Sequence, residues 1–255
     1  MNKQLVNTVH YKGKHNQPLT NVFIHAPTII WVKQGSKQLW WHEKSYEFNH
    51  SNWLLVPAGQ YLTFVNIPEQ QQFYSRVLTL HQRPPIDWLS SEVGTRLSSP
   101  QMNTTPSLEY CFEIIFDMAE KGLSPETQQQ FLYGFYSELN QVGALTKLFP
   151  TDQQQLRDKL ANYLSSAPGD DHKIDVAASH LAMSRATLTR KLAAEGSSFR
   201  SVLTEIRMTH ALSLLQNQFS QIDAALACGY QSEARFSQRF KQQFGLTPHQ
   251  YRMTL

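Results

Sequence analysis

Two similar segments follow one another in the C-terminal part of this 255-residue chain. Asp175–Gly196 matches Asp223–Tyr251 at a constant offset of 48 positions. Ser184 in the first segment corresponds to Ser232 in the second, and in each segment an apolar pair spaced four residues apart follows the serine. A unit that occurs twice in tandem has to fold the same way twice, so this repeat constrains the fold more than any other feature of the sequence.

Each segment predicts a short helix, a turn and a second helix. In the first segment, Lys173–Leu181 forms the supporting helix, with Val176, Ala177 and Leu181 on its apolar face. Ser184 is a favoured N-cap residue for the helix that follows the turn. This is the order of a helix-turn-helix unit, in which the second helix enters the major groove of DNA.

The second helix of each unit has an apolar side and a polar side. Leu188 and Leu192 form the apolar side in the first unit, as Phe236 and Phe240 do in the second. The opposite sides carry small or hydrogen-bonding residues, which suit the edges of bases. The predicted base contacts are Ala186, Thr189, Arg190, Glu233, Ala234, Arg235 and Gln238. The competing interpretation is an ordinary exposed helix face.

Individual side chains in this set match particular bases. Arg190 suits guanine through a bidentate contact, and Gln238 suits adenine in the same way. Glu233 can accept a hydrogen bond from cytosine, whereas Thr189 and Ala186 suit the methyl group of thymine. The two units therefore predict sequence-specific reading of double-stranded DNA.

A further set of residues is predicted to contact phosphates: Ser184, Arg185, Lys191, Ser232, Arg239, Lys241 and Arg252. From Lys173 to the end of the chain, 10 Lys and Arg face 5 Asp and Glu, whereas residues 1–150 hold 11 of each kind. The positive charge thus lies on the repeat-bearing segment, as expected for a protein that binds phosphate. A solvated basic face is the alternative interpretation of the charge.

A long helix is predicted between the two units. Ser198–Gln216 contains neither Gly nor Pro, and its apolar residues recur along one side. Such a helix fixes the separation of the two recognition helices. We expect these helices to enter successive major grooves, about 34 Å apart.

The N-terminal part predicts short strands from Thr20 to about Leu80. Runs rich in Val, Ile, Trp, Tyr and Phe alternate with Gly, Pro, Asn and Ser turn signals. Several strands at this spacing favour a sandwich or a small barrel. Ser51–Gly59 resembles the second cupin motif, which makes a cupin-like β-barrel the predicted architecture.

Metal binding is not expected in this barrel. In cupins the first motif supplies two histidines and a glutamate as metal ligands, and that pattern is missing here. The N-terminal part does contain histidines, but none of them completes this pattern: His25, His42, His50 and His81. The sequence therefore predicts no metal, no cofactor and no enzymatic activity, and a metal-dependent cupin enzyme fused to a helical module is the alternative.

Aromatic residues alternate along the predicted strands and are either plain core or the wall of a ligand cavity. They are Trp31, Trp40, Trp53, Phe64 and Tyr74. Lys33 and Arg76 are candidates to meet a carboxylate. The predicted ligand-binding set is Trp31, Lys33, Trp40 and Arg76, and the identity of the effector is left open.

Helical patterns replace the strands after Pro84-Pro85. Residues 107–121 carry apolar residues close to the 3.6-residue period, and Ser124-Pro125 begins a second helix over residues 125–149. Its apolar residues alternate in steps of three and four: Leu132, Phe135, Leu139, Val142, Thr146 and Phe149. This face either packs on the barrel or pairs two subunits into a homodimer.

The predicted fold class is α+β with two domains. Residues 1–150 form the cupin-like domain for sensing and dimerisation, and residues 151–255 form an all-α domain with two helix-turn-helix units. The N-terminus lacks the apolar run of a signal peptide, and no window approaches 18 continuous apolar residues. A cytoplasmic location and no membrane contact are therefore expected.

The C-terminal residues resemble a known family. Ala225–Arg252 is similar to the C-terminal signature of the AraC/XylS family of bacterial transcription regulators, and Thr204–Leu215 is similar to its linker-helix motif. The resemblance covers roughly residues 152–255. It departs from the family at Gln221 and Ile222, which sit one step from the usual isoleucine, and at Arg235, where an aromatic residue is common.

This resemblance implies a transcription regulator; activation is the expected mode, and repression is the alternative left open. It implies promoter DNA and RNA polymerase as partners, a homodimer, and a small-molecule effector bound by the N-terminal domain. The linker-helix motif looks closest to the branch that controls virulence and stress genes, in which some members bind fatty acids. A helical module that binds protein and not DNA is a further alternative.

Overall fold

The computed structural model describes residues 5–89, 99–118, 121–150 and 155–255. Within these ranges the chain is an α+β protein, with strands in the N-terminal part and helices after them. The predicted fold class is confirmed at this level. The strands are β1 Val6–Gly13, β2 Gln17–Ile24, β3 Thr28–Gln34, β4 Ser36–Trp41, β5 Lys44–Phe48, β6 Asn52–Val56, β7 Gln60–Ile67, β8 Phe73–Leu80 and β9 Gln101–Asn103.

The strands form two antiparallel sheets that pack face to face. One sheet has the order β1-β8-β3-β6-β9 and the other the order β2-β7-β4-β5. Inward-facing side chains from both sheets share one apolar core, including Val32, Leu39, Leu54 and Leu62, all fully buried. Alternation of inward and outward residues along each strand produces this arrangement.

The strands that the sequence does not reveal are β1, β2, β5 and β9. Each of these lies at an edge of its sheet, whereas the strands anticipated from apolar runs are β3, β4, β6, β7 and β8. An edge strand is paired on one side only and tolerates polar residues, as in Lys44–Phe48 with its exposed lysine, serine and glutamate. Apolar runs therefore identify the central strands and miss the edges.

Three helices cover the outer face of the five-stranded sheet. They are α1 Pro106–Met118, α2 Pro125–Gln141 and α3 Leu145–Leu148, and a 3-10 turn at Ile86–Trp88 precedes them. Phe112 of α1 meets Trp31 and Trp53 of the sheet, with ring centroids 5.4 and 5.2 Å apart. Aromatic burial of this kind fixes the helices on the sheet.

The second predicted helix is shorter than residues 125–149. It ends at Gln141, because Gly143 adopts a positive φ of 67° and the chain turns before α3. Leu132, Phe135 and Leu139 of the predicted seam are buried within the chain at 0–1% exposure. These three residues therefore pack inside the chain, whereas Val142 of the same predicted seam is 47% exposed. Of the predicted helix 107–121, Ala119 and Glu120 lie outside the described residues.

All regular elements among the described residues of the C-terminal part are helices, as predicted. Its helices are α4 Leu156–Leu164, α5 Ile174–His180, α6 Arg185–Ala194, α7 Phe199–Gln216, α8 Gln221–Ala227, α9 Glu233–Phe244 and α10 Pro248–Arg252. The predicted domain boundary near 150–155 falls on residues 151–154, which lie outside the described ranges. Across the described helices, none combines the length and the apolar character needed to cross a membrane.

The helical part docks on the first two strands. Gln243 donates to the carbonyl of Asn21 at 2.6 Å, and Gln216 donates to the carbonyl of Lys12 at 3.1 Å. The backbone carbonyl of Thr254 accepts from the amides of residues 14 and 15. Side chains of α7–α10 join the same apolar core as the sheet interior, so the two parts share buried surface.

A charged network reinforces this junction. Arg157 of α4 donates to Glu205 of α7 at 2.8 Å and to the hydroxyl of Tyr61 in β7, which donates to Glu205 at 2.6 Å. The guanidinium carbon of Arg157 also lies 4.2 Å from the ring centroid of Phe23. One arginine thus links the β-sheet part to the first and the central helices of the C-terminal part.

Asp158, the next residue of α4, is buried at the same junction. Its side chain is 6% exposed, and its Oδ1 atom has no hydrogen-bond partner in the described part of the chain. Burial raises the pKa of the Asp158 carboxyl to about 6, and the nearby Arg157 offsets this only in part. The folded state therefore carries a poorly solvated carboxylate at neutral pH.

We expect Asp158→Asn to stabilise the protein at pH 8 by about 1–3 kcal/mol, because the amide removes a charge that is costly to bury. The raised pKa means that the folded state holds the proton more tightly than the unfolded state does. The gain should therefore fall as the pH drops through 6 and vanish below about pH 4. Chemical denaturation at a series of pH values measures it.

Asp171→Asn is the matched control, because Asp171 is exposed. Its stability should follow that of the wild type at every pH. Lower stability of Asp158→Asn than of the wild type at pH 8 would contradict this account of the buried carboxylate.

Candidate DNA-binding interface

Serine caps place the two predicted recognition helices, α6 and α9. The hydroxyl oxygen of Ser184 accepts from the backbone amide of Thr187 at 3.2 Å, and that of Ser232 accepts from the amide of Arg235 at 3.4 Å. Each cap satisfies an amide that the first helical turn leaves unpaired. The sequence predicts both caps, and the structure has both.

One side of each recognition helix is buried. Leu188 and Leu192 of α6 and Phe236 and Phe240 of α9 are fully buried. The seven residues predicted to contact bases are all exposed: Ala186, Thr189, Arg190, Glu233, Ala234, Arg235 and Gln238. Helical spacing puts Ala186 and Arg190 opposite the buried pair of α6, and Ala234 and Gln238 opposite that of α9. Glu233 stands three residues before Phe236, so it lies at the start of α9 on the side of the buried pair.

Several polar residues of these helices already have partners within the chain, and Glu233 and Arg185 are bonded to the supporting helices. Glu233 accepts from Gln221 of the supporting helix α8 at 2.7 Å, so contact with cytosine requires this bond to open. Arg185 forms an ion pair with Asp175 at 3.4 Å, and both side chains are more than half exposed. Exposed pairs of this kind contribute little and exchange readily with phosphate.

The predicted phosphate contacts lie around these two helices. Arg185, Lys191, Arg239, Lys241 and Arg252 are exposed, whereas the hydroxyls of Ser184 and Ser232 serve as caps. Capped helix N-termini still present unpaired amides to an anion.

The structure corrects the alignment of the two units. The buried pair Ala177 and Ala178 of α5 corresponds to Ala224 and Ala225 of α8, which is an offset of 47 and not 48. The offset returns to 48 at the recognition helices, because Gln231 is an additional residue in the second turn. Val176, which the sequence predicts on the apolar face of the first supporting helix, is 56% exposed.

Helix α7 carries both units. Val202 and Ile206, in its first half, belong to the apolar cluster of the first unit. Ala211 and Leu215, in its second half, belong to the core that holds α8, α9 and α10. At 1.5 Å per residue, its 18 residues span about 27 Å. A continuous helix with a unit packed on each half holds the recognition helices apart at a fixed distance.

Arg207, in the middle of α7, ties the two units together. It donates to the carbonyls of Pro168 at 3.1 Å and Asp170 at 2.9 Å, in the loop before the first unit. Its guanidinium also borders the turn of the second unit, where a Cβ atom at Gly229 would lie 2.7 Å from Nη2. Gly229 has a φ of 74°, so this turn needs glycine for both space and conformation.

The four predicted ligand-binding residues do not share one pocket. Trp31 is buried against α1, whereas Trp40 is 47% exposed on the other sheet. Lys33 pairs with Glu113 of α1 at 3.0 Å, and Arg76 pairs with the same glutamate. Among the described residues, no three His, Cys, Asp or Glu side chains lie close enough to hold a metal ion.

Lys37 is a buried cation that the sequence analysis does not single out. It is 3% exposed, its ammonium donates to Asn66 at 2.5 Å, and it lies 3.4 Å from the ring centroid of Phe64. Burial holds its pKa well below the usual value. Its place within the strand run KQLWW, where alternate residues face inwards, is the signal that could have revealed it.

Residues 177–254 match the family model of a helix-turn-helix domain. The HTH-type transcriptional regulator GadX of Escherichia coli K12 is 33% identical over 100 residues, which cover 39% of this chain and 36% of that protein. The C-terminal part is thus similar to the DNA-binding part of AraC/XylS-type regulators, as its sequence resemblance implies. The matched residues include both recognition helices and the helix between them.

Other relatives of this chain are also named as regulators. The urease operon transcriptional activator of Escherichia coli is 30% identical over 128 residues, covering 49% of this chain and 43% of that protein. The regulator MtrA of Neisseria gonorrhoeae is 28% identical over 158 residues, covering 58% of this chain and 52% of that protein. The matches therefore span about a third to a half of these relatives' own lengths.

ToxT from Vibrio cholerae has the same fold over the whole chain. One ToxT structure gives a TM-score of 0.64 at 20% identity and covers 99% of both chains. Another, described as bound to an unsaturated fatty acid, gives 0.63 at 19% identity and covers 100% of this chain and 97% of that one. The order of sheets and helices in this chain is thus that of ToxT.

Proposed function

We propose that the chain is a sequence-specific DNA-binding transcription regulator. The observation that carries this proposal is the pair of capped helix-turn-helix units on the one helix α7, each with an exposed polar face. A protein-binding module has no need of two basic recognition faces held at a fixed distance. The net positive charge of the segment from Lys173 onwards supports the same conclusion.

In the proposed mode of binding, α6 and α9 enter successive major grooves on one side of the duplex. Arg190, Thr189 and Ala186 read one half of the site, and Gln238 with Arg235 reads the other. Lys191, Arg239, Lys241 and Arg252 contact phosphates and add affinity without sequence information. The first unit supplies most of the specificity, because its reading face has no internal hydrogen bond comparable to that of Glu233 in the second.

We expect Arg190→Ala to weaken binding to a selected DNA site by about 1–3 kcal/mol and to relax base preference in one half of that site. The loss arises because a bidentate contact to guanine disappears. Binding to random DNA should change little. Fluorescence anisotropy with a site obtained by in vitro selection, and with random DNA of equal length, measures both quantities.

Lys241→Ala is the matched control for a phosphate contact. It should weaken binding to selected and random DNA to a similar extent and lower the dependence on salt by about one released ion. If Arg190→Ala weakens both DNAs equally, Arg190 does not read a base.

A small acidic effector, such as an unsaturated fatty acid, is the second part of the proposal. ToxT, which shares the fold, has a structure described with such a ligand. In this chain, Lys33 and Arg76 already form ion pairs with Glu113. Lys37 pairs with no carboxylate within the described residues, so we assign the acidic head group to Lys37.

Oleate titrated into the full chain tests this assignment by calorimetry. Lys37→Met should weaken oleate binding at least about tenfold, because a charged hydrogen bond is lost, whereas Lys33→Met should bind like the wild type. If Lys33→Met alone loses oleate binding, the head group binds at Lys33, as the sequence predicts. Equal binding by both variants and the wild type would leave neither lysine as the acid-binding group.

A homodimer remains part of the proposal, through a different face of α1 and α2. Tyr110 and Phe131 are exposed and border a cleft of about 300 Å³ on the outside of these helices. Analytical ultracentrifugation distinguishes dimer from monomer. We also propose that the protein contacts RNA polymerase and activates transcription, which in vitro transcription tests. Control of virulence or stress genes is a further proposal, and transcript profiling tests it.

A further inference from the structure

A second cavity lies at the junction of the two parts of the chain, away from Lys37. It has a volume of about 240 Å³ and opens between the ends of strands β2, β6 and β8 and the helices α3 and α4. At about 30 Å³ per molecule, that equals roughly eight waters, which suits a small polar metabolite. The lining residues that matter here are His25, Gly59, Arg83, Phe149, Asp158 and Asn162.

The cavity contains a buried acceptor without a donor. Asp158 is 6% exposed, and its Oδ1 atom has no hydrogen-bond partner in the described part of the chain. A Cβ atom at Gly59 would lie 3.1 Å from this oxygen, so the carboxylate is seated against the β6–β7 turn. Neighbouring Arg157 is committed to Glu205 and Tyr61. A buried carboxylate oxygen in this state favours a cationic donor from outside the chain.

His25, on the wall of the cavity, does not supply that positive charge. Burial, together with His81, lowers the pKa of His25 to about 3, so His25 is neutral at physiological pH. Its Nε2 atom is buried and also lacks a hydrogen-bond partner among the described residues. His81 is engaged elsewhere, since its Nδ1 atom lies 3.1 Å from the amide oxygen of Asn162. The inner end of the cavity is therefore polar, and Asp158 is its buried carboxylate.

The outer end of the cavity carries the opposite charge. Arg83 is exposed there, with its guanidinium carbon 5.7 Å from the ring centroid of Phe149. Within the described residues it forms no ion pair, with Asp158 or with any other carboxylate. One cavity is thus lined by a buried anion and an exposed cation that are not paired with each other.

We propose that this cavity binds a small zwitterion of the α-amino acid class. The ammonium group donates to Asp158, the carboxylate pairs with Arg83, and the side chain lies along Phe149. A simple amine meets repulsion from Arg83, and a simple acid meets repulsion from Asp158. Only a ligand with both charges satisfies both ends of the cavity.

Binding at this site has a direct route to the first recognition helix. Asp158 lies in the first turn of α4, whose amides at Leu156 and Arg157 both donate to Glu195 at 2.8 Å. Glu195 is the C-cap residue of α6. A ligand that binds Asp158 therefore contacts α4. The first residues of α4 are hydrogen-bonded to the end of α6, so the ligand can influence the position of α6. The binding site itself does not depend on the proposed DNA-binding function and is measured without DNA.

The test uses the full chain and each of the twenty standard amino acids in turn. At about 10 mM, at least one of them should raise the melting temperature by about 2 °C or more. Calorimetry then compares that amino acid with its decarboxylated amine and its deaminated acid. Each analogue should bind at least about tenfold more weakly, because it lacks one of the two charge contacts.

Variants locate the ligand in the cavity. Asp158→Asn and Arg83→Gln should each weaken binding at least about tenfold, whereas the exposed controls Asp171→Asn and Arg200→Gln should bind like the wild type. The proposal is overturned if none of the twenty amino acids stabilises the wild-type protein. It is equally overturned if the ligand binds Asp158→Asn as tightly as the wild type, or if the amine alone binds as tightly as the amino acid.

Discussion

The continuity of helix α7 is the constraint on which the rest of the structure depends. Its 18 residues, Phe199–Gln216, contain no residue that breaks a helix. Its first half completes the core of one helix-turn-helix unit and its second half completes the core of the other. Each unit is too small to bury its own apolar face, so both depend on α7 for a core. Their relative position is therefore a property of one helix.

The sheet part holds this assembly from the side. Strands β1 and β2 contribute carbonyl acceptors to Gln216 and Gln243, and Arg157 bridges Tyr61 and Glu205. Because α7 is bonded to the sheet part along its length, a change within the sheets reaches the recognition helices through few intermediates. The docked arrangement thus puts the N-terminal sheets in direct contact with the helix that carries both units.

The sequence predicts the features that local rules control. The recognition helices can be predicted from Ser184 and Ser232, because an N-cap serine followed by two apolar residues four positions apart is a local signal. The edge strands are missed, because one unpaired side lets their sequences be polar. The extra residue Gln231 is missed, because a single insertion in a turn leaves the apolar spacing on either side intact. A sequence alignment alone does not decide where it falls.

The polar sites at the junction belong to a different class. Lys37 and the cavity of Asp158 are defined by burial, which depends on packing between segments far apart in the chain. His25, Arg83 and Asp158 come from three such segments, and nothing in the local sequence of any one of them marks a site. Unpaired buried charges appear only once the fold brings the segments together.

In the proposed mode of binding, two recognition helices at a fixed distance read one side of the duplex together. Binding to a selected site is compared with binding to the same site after its two halves are separated by roughly five more base pairs, about half a helical turn. The fixed distance predicts that affinity falls to about that of a single half-site, because only one helix can then reach its groove. Unchanged affinity for the lengthened site would contradict a rigid α7 and with it this account of the molecule.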